Sequence, residues 1–220
     1  MAEIESLVHD ESAAQRLARH GYNRLLLLAD AVFAIAITLA ALEIKPHGHW
    51  RTDAELWREL QLPVLAYLIS FSVIAFYWLA HRDTFARVRR VDGGLTALAL
   101  LELLFIAILP AATQLLYDQE AQLQAVRVYA AATAAAGFGN AALWGYAAFR
   151  PGLMTDGHPA NYRLARLGVT LIMPFYFLWL ASVGATVVGP QAIYGAFVAV
   201  AVLAVLRLAV IPRLAGPLRA

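Results

Sequence analysis

Three side chains suited to ion or proton chemistry stand inside apolar stretches of the sequence. They are Asp30 and Thr38 within RLLLLADAVFAIAITLAALEI (24–44), and Glu102 within GLTALALLELLFIAILPAATQLLY (94–117). A carboxylate at mid-bilayer depth costs about 2.5–3.5 kcal/mol on insertion scales, so it is paired or it marks an ion or proton path. Thr38 is a lone hydroxyl among leucines and isoleucines. Candidate partners for Asp30 at its depth are Arg24 on its own segment, and Trp78, His81 and Arg82 farther along the chain. Trp78 and His81 are three residues apart and share a helix face. An alternative makes Trp78 a residue of the interfacial aromatic belt and His81 the first residue of a loop. Glu102 lies about two turns from the start of its stretch, within range of Arg87, Arg89 or Arg90.

Enzyme chemistry finds little support. There is no His-Glu-x-x-His pattern, no Gly-x-Ser-x-Gly elbow and no Gly-rich phosphate loop. Absence of cysteine removes thiolate catalysis, disulfides and cysteine-bound metals together. His47 and His49 in KPHGHW lack further ligands and read as solvated loop residues. Neither a metal nor another cofactor is expected.

The elements that position these residues must be membrane helices. The chain has 61% apolar and 15% charged residues, against roughly a quarter charged in soluble domains. The pI near 9.0 reflects clustered arginines rather than a nucleic-acid-binding face. Six stretches approach the roughly 20 residues that cross a bilayer, at about 24–44, 63–81, 94–117, 125–148, 164–188 and 190–211. The polar segment 1–23 lacks the apolar run of a signal peptide and reads as a cytosolic amphipathic helix leading into the first span. Thr52 followed by Glu55 has the form of a capping box, which predicts a short surface helix before Pro63.

Orientation follows from arginine and lysine near the span ends. Thirteen lie on the side of the N-terminus, the 2–3 and 4–5 loops and the C-terminus; Lys45, Arg51, Arg58 and Arg127 lie on the other. Both termini are therefore placed in the cytosol, as an even number of spans demands. No internal repeat is evident, and residues 1–220 read as one all-α, six-helix transmembrane domain.

With Asp30 at 0° and about 100° per residue, Ala34, Ile37 and Ala41 fall within about 40° of it. This small-residue stripe suits close helix packing. Ile35, Thr38, Leu39 and Leu42 fall between about 80° and 180° and form a separate, bulkier stripe.

The first stretch resembles the first-helix signature of the transmembrane protein 175 family, the endolysosomal potassium channel and its bacterial relatives. That signature is an arginine, three residues, Phe-Ser-Asp and an Ala-Ile-Ala-Ile-Thr-Leu run. The similarity continues through YWLAHRDTFARVRRVD (77–92) and LLFIAILPAATQLL in the third stretch. It implies a homotetrameric, potassium-preferring cation channel in a bacterial plasma membrane, its partners being potassium ions and lipid. Ile35, Leu39 and Leu42 match the apolar pore constriction, and Thr38 the hydroxyl position tied to potassium preference. Arg24, Asp30, Trp78 and His81 match a polar network that holds the first helix to the bundle. Leu28-Ala29 replaces Phe-Ser, and Ala99 stands where the third helix usually has asparagine.

Two other readings remain at this stage. A proton-coupled transporter would use Glu102, with helices broken at Gly137/Gly139 and Pro174. A non-conducting membrane protein would use neither. Glu43, Asp118 and Glu120 near the outer ends either concentrate cations or are ordinary solvated charges.

Overall fold

The computed structural model describes residues 13–42, 44–46, 48–116, 122–155 and 159–184, with the single positions Thr186, Gly195 and Val202. Within them the chain is all-α, with five α-helices. These are α1 (Ala13–Ala41), α2 (Asp53–Phe85), α3 (Gly93–Leu115), α4 (Gln122–Phe149) and α5 (Ala160–Trp179), the last running into a π-helical segment, Leu180–Gly184. The helix expected at 190–211 lies outside the described residues, as do Glu43, His47, Asp118 and Glu120.

Among the described residues, four stretches are long and apolar enough to cross a membrane: His20–Ala41, Asp53–Phe85, Gly93–Leu115 and Ala160–Val183. The fourth helix, α4, has 28 residues, about 42 Å at 1.5 Å per residue. Its many alanines and glycines permit close packing on both sides, and it lies against α2, α3 and α5. By contrast α1 rests on α2 and α3.

From Ala13 the described part of the N-terminal segment is helical and runs without a break into the first span. One element differs from the expectation: the surface helix before Pro63 is not separate. The capping box forms as expected, with Thr52 Oγ1 accepting from Glu55 N and Glu55 Oε2 from Thr52 N. It opens a single 33-residue helix that passes through Pro63. At about 50 Å this helix exceeds a hydrocarbon core of about 30 Å, so its first turns project beyond the apolar layer. Gly48 N donates to Glu59 Oε2 at 3.0 Å and folds the preceding loop back onto those turns.

A main core joins α1, α2, α3, α4 and α5 around Phe33, Val73, Ile74, Ile106, Leu109, Ala134 and Phe177. A second cluster near the α2–α3 loop gathers Leu25, Phe85, Leu95, Ala99 and Leu143. The α2–α3 and α4–α5 loops are tied by backbone bonds: Arg89 N donates to Leu153 O at 2.7 Å, and Thr155 N to Arg87 O at 3.0 Å.

At the start of α3, Asp92 Oδ1 accepts from Leu95 N at 2.8 Å, and Tyr146 Oη donates to Asp92 Oδ2 at 3.0 Å. The cap thus also pins α4. The Leu95 N–H, ahead of Tyr146 and the nearby Arg150 and Arg90, holds the Asp92 carboxyl below its ordinary value of 3.8. Replacing Asp92 with alanine is expected to cost about 1 kcal/mol, read as a lower melting temperature in detergent. Because the folded pKa is depressed, this contribution is complete above pH 3.8 and is lost as pH falls through the lowered value. The gap between wild type and Asp92→Ala should therefore close only in strong acid.

Candidate functional site

The helix α1 divides sharply. Ala29, Phe33, Ala36 and Ala40 are at most 2% exposed, whereas Ile35, Leu39 and Leu42 are 56%, 45% and 71% exposed. The face turned into the protomer therefore carries Leu25, Ala29, Phe33, Ala36 and Ala40, rather than the Asp30–Ala34–Ala41 stripe. Small size permits close packing along either line. Phe33, wedged into the main core, decides which line turns inward.

Thr38 shares the exposed stripe. Its hydroxyl donates to Ala34 O and Ile35 O, each at 3.0 Å. With its single hydrogen directed at the helix backbone, the oxygen presents lone pairs outward. It is an acceptor and a possible cation ligand.

Of the four residues in the expected polar network, the structure joins two. Trp78 Nε1 donates to Asp30 Oδ1 at 2.9 Å, linking α2 to α1. The guanidinium of Arg82 stands 4.9 Å from the Trp78 ring centroid, on the same helix face. Arg24 is exposed, about 9 Å along α1 from Asp30 and on a different side of the helix.

His81 takes another partner. Its Nδ1 lies 2.9 Å from Glu102 Oε2, while Asn140 Nδ2 donates to Glu102 Oε1 at 2.8 Å. Glu102 is completely buried, and both carboxylate oxygens are satisfied. The carboxylate does not reach toward Arg87, Arg89 or Arg90 as the spacing suggested. His81 itself is 2% exposed, with the Phe33 and Phe85 rings 5.7 and 4.7 Å away. Three helices meet at one carboxylate.

Sequence reasoning missed Asn140, which sits in the alanine- and glycine-rich run AAATAAAGFGNAA. A lone amide among small residues was the available signal. It also missed a column of buried hydroxyls toward the other end of the bundle. Ser70 Oγ and Thr113 Oγ1 are 2.7 Å apart, Ser70 Oγ and Tyr129 Oη 3.3 Å, and Tyr77 Oη donates to Thr133 O at 2.9 Å. Arg166 was counted only as an orienting charge. It is 1% exposed, packs 3.7 Å from the Trp144 ring centroid, and meets Asp83 Oδ2 at 2.8 Å and Thr84 Oγ1 at 3.1 Å.

The features that suggested transporter-like broken helices have a packing explanation. Helix α4 runs unbroken through Gly137 and Gly139, and α5 through Pro174. A Cβ at Gly139 would stand 3.1 Å from Glu102 Cα, and one at Gly137 would stand 2.6 Å from Tyr77 Oη. The two glycines let α4 approach α3 and α2 closely enough for Asn140 to reach Glu102.

Truncating Glu102 to alanine leaves Asn140 and His81 without their acceptor in a dry interior and is expected to destabilise the protein by about 2 kcal/mol. Glu102→Gln keeps an oxygen for Asn140 and offers an N–H to His81 Nδ1, which accepts it once the ring carries its proton on Nε2, and should retain most of that stability. Thermal unfolding of the solubilised variants measures both. Equal losses would mean that hydrogen-bond capacity is not what Glu102 contributes.

Comparison with known proteins agrees with this architecture. The family model of the endosomal/lysosomal potassium channel TMEM175 matches residues 24–110, which hold most of α1, all of α2 and most of α3. A potassium channel of Streptomyces collinus is 36% identical over 131 residues, 55% of this chain and 62% of that protein. The match thus spans less than two thirds of that relative's length. A potassium channel of Chamaesiphon minutus is 32% identical over 182 residues, 73% of this chain and 87% of the relative. The crystal structure of a lysosomal potassium-selective channel TMEM175 homolog from Chamaesiphon minutus superposes with a TM-score of 0.67. The two share 25% identity, with 90% of this chain and 99% of that one covered. With apolar membrane-length helices, the first-helix pattern and a relative matched over most of its length, the chain is an integral membrane protein of the TMEM175 family, a family of ion channels and not of enzymes.

Proposed function

We propose that this chain is the subunit of a homotetrameric, potassium-preferring cation channel in a bacterial plasma membrane. Each subunit is a single domain over residues 1–220 with six membrane helices and cytosolic termini, the four α1 helices lining the pore. The reading is supported by the names of the bacterial relatives, both potassium channels. The thirteen-to-four arginine and lysine bias supports the orientation.

The observation that carries the pore assignment is the uncovered stripe of α1. Ile35, Leu39 and Leu42 face away from the protomer, with Thr38 and its outward lone pairs among them. Four-fold repetition stacks the three apolar residues as successive rings, a constriction that gates by dewetting. The Thr38 ring supplies four oxygens to a partly dehydrated cation. Arg24, Asp30, Trp78 and His81 serve the structure around the pore: Trp78 ties Asp30 of the lining helix to α2, and His81 is held in the bundle behind it.

Ile35→Asn should wet the narrow layer and raise cation current in planar bilayers. Thr38→Ala should leave current but lower the potassium-over-sodium permeability ratio, because only the hydroxyl oxygens are lost. Unchanged current in Ile35→Asn, with tetramer and insertion verified, would sink the pore assignment. Substrate exchange driven by a pH gradient, without ohmic current, would favour a transporter instead.

A further inference from the structure

We infer that the corner where α3 begins and α4 ends is a binding surface for the headgroup of an anionic phospholipid. The two connections at this end of the bundle and the helix turns that flank them, residues 82–92 and 150–166, carry seven arginines against Asp83, Asp92 and Asp156. Asp83 is engaged by the buried Arg166 and by Arg87. Asp92 is engaged by Leu95 N and Tyr146 Oη. Much of the acidic capacity is therefore committed within the fold, and the corner keeps a positive excess.

The arginines concerned are Arg89, Arg90 and Arg150. All three are exposed. Their proximity is fixed by shared neighbours: Arg89 N and Arg90 N both lie on Leu153 O, at 2.7 and 3.4 Å. Arg150 Nε stands 3.4 Å from Asp92 Oδ2, and both Arg150 and Arg90 depress the Asp92 pKa. The platform beneath them is firm. Val88 pairs with Met154 in an isolated bridge, and the Arg150–Leu153 turn is closed by Gly152 at φ +77°, a left-handed conformation that glycine adopts without strain.

Position supplies the second half of the argument. Asp92 immediately precedes the membrane-length helix Gly93–Leu115, so the corner sits at the depth of lipid headgroups. Aromatic surface adjoins it: Arg150 packs 5.3 Å from the Tyr146 ring centroid, and Phe149 is 47% exposed. Guanidinium groups above an aromatic edge match a phosphate above acyl chains. The inference rests on α3 and α4 crossing the membrane, and it does not depend on conduction.

The test is native mass spectrometry of the purified full-length protein titrated with phosphatidylglycerol and, separately, phosphatidylcholine. Near a membrane surface each arginine contributes about five-fold in binding an anionic lipid. Arg89→Gln with Arg90→Gln should therefore weaken phosphatidylglycerol retention about 25-fold and leave phosphatidylcholine unchanged. Arg89→Lys with Arg90→Lys should keep most of the affinity. Arg51→Gln with Arg58→Gln, at the opposite end of the bundle, should keep all of it. Equal phosphatidylglycerol retention by wild type and the Arg89/Arg90 glutamine pair overturns the proposal. So does an equal loss in the lysine pair or in the Arg51/Arg58 control. Competition by inorganic phosphate as effective as that by the lipid would overturn the assignment to a membrane partner.

Discussion

Hydrocarbon offers no hydrogen-bond partners, and Glu102 is where that constraint bears hardest on this chain. A fully buried carboxylate in a membrane helix is tolerable only if the protein supplies its solvation. Here His81 of α2 and Asn140 of α4 do so. The bond from Asn140 requires α4 to lie close to α3, which the missing side chain at Gly139 permits. The same logic extends along α2. Ser70, Tyr77, His81 and Thr84 follow at spacings of seven, four and three residues and so share a face. They meet Thr113 and Tyr129, Thr133, Glu102 and Arg166 in turn. A polar seam about 21 Å long therefore fastens α2 to α3, α4 and α5.

The seam leaves α1 aside. Its inward face is alanine, leucine and phenylalanine, and among the described residues its side-chain hydrogen bonds to the bundle are Trp78 to Asp30 and Tyr22 Oη to Phe85 O. Both attach to α2, on a flank next to the face that the seam holds. The lining helix of the proposed pore is thus seated by smooth apolar packing on a stiffer scaffold.

How much of this was legible in the sequence differs by kind of information. Helical class, the approximate positions of the described helices and the Thr52 capping box follow from local patterns, and they appear as expected. Whether a helix continues past Pro63 depends on packing from outside the segment, and that was misjudged. So was the inward face of α1, because two lines of small residues compete and the deciding contact, Phe33 in the core, is tertiary. His81 and Glu102 stand 21 residues apart, and Asn140 lies in a run whose composition suggests only close packing. Nothing local announces that these three meet. Arg166 illustrates the same limit: charge near a span end reads as topology, yet its burial over Trp144 depends on where α4 places the indole.

The contrast between seam and lining helix bears on how a dewetting constriction would be controlled. A ring of apolar side chains changes hydration steeply with small changes in radius, so modest rotation or tilt of α1 suffices to open it. Such motion needs a helix whose seating tolerates sliding, on a scaffold that does not yield. Alanine contacts lose little when shifted by a fraction of a turn. Directional bonds in a dry interior lose much. The Asp30–Trp78 bond lies between these cases. It is directional, but it stands on the exposed side of the protomer, where water, or a neighbouring subunit of the proposed tetramer, can replace it. Motion of α1 would then be governed by this replaceable bond, while Glu102 and its partners keep the surrounding bundle in register.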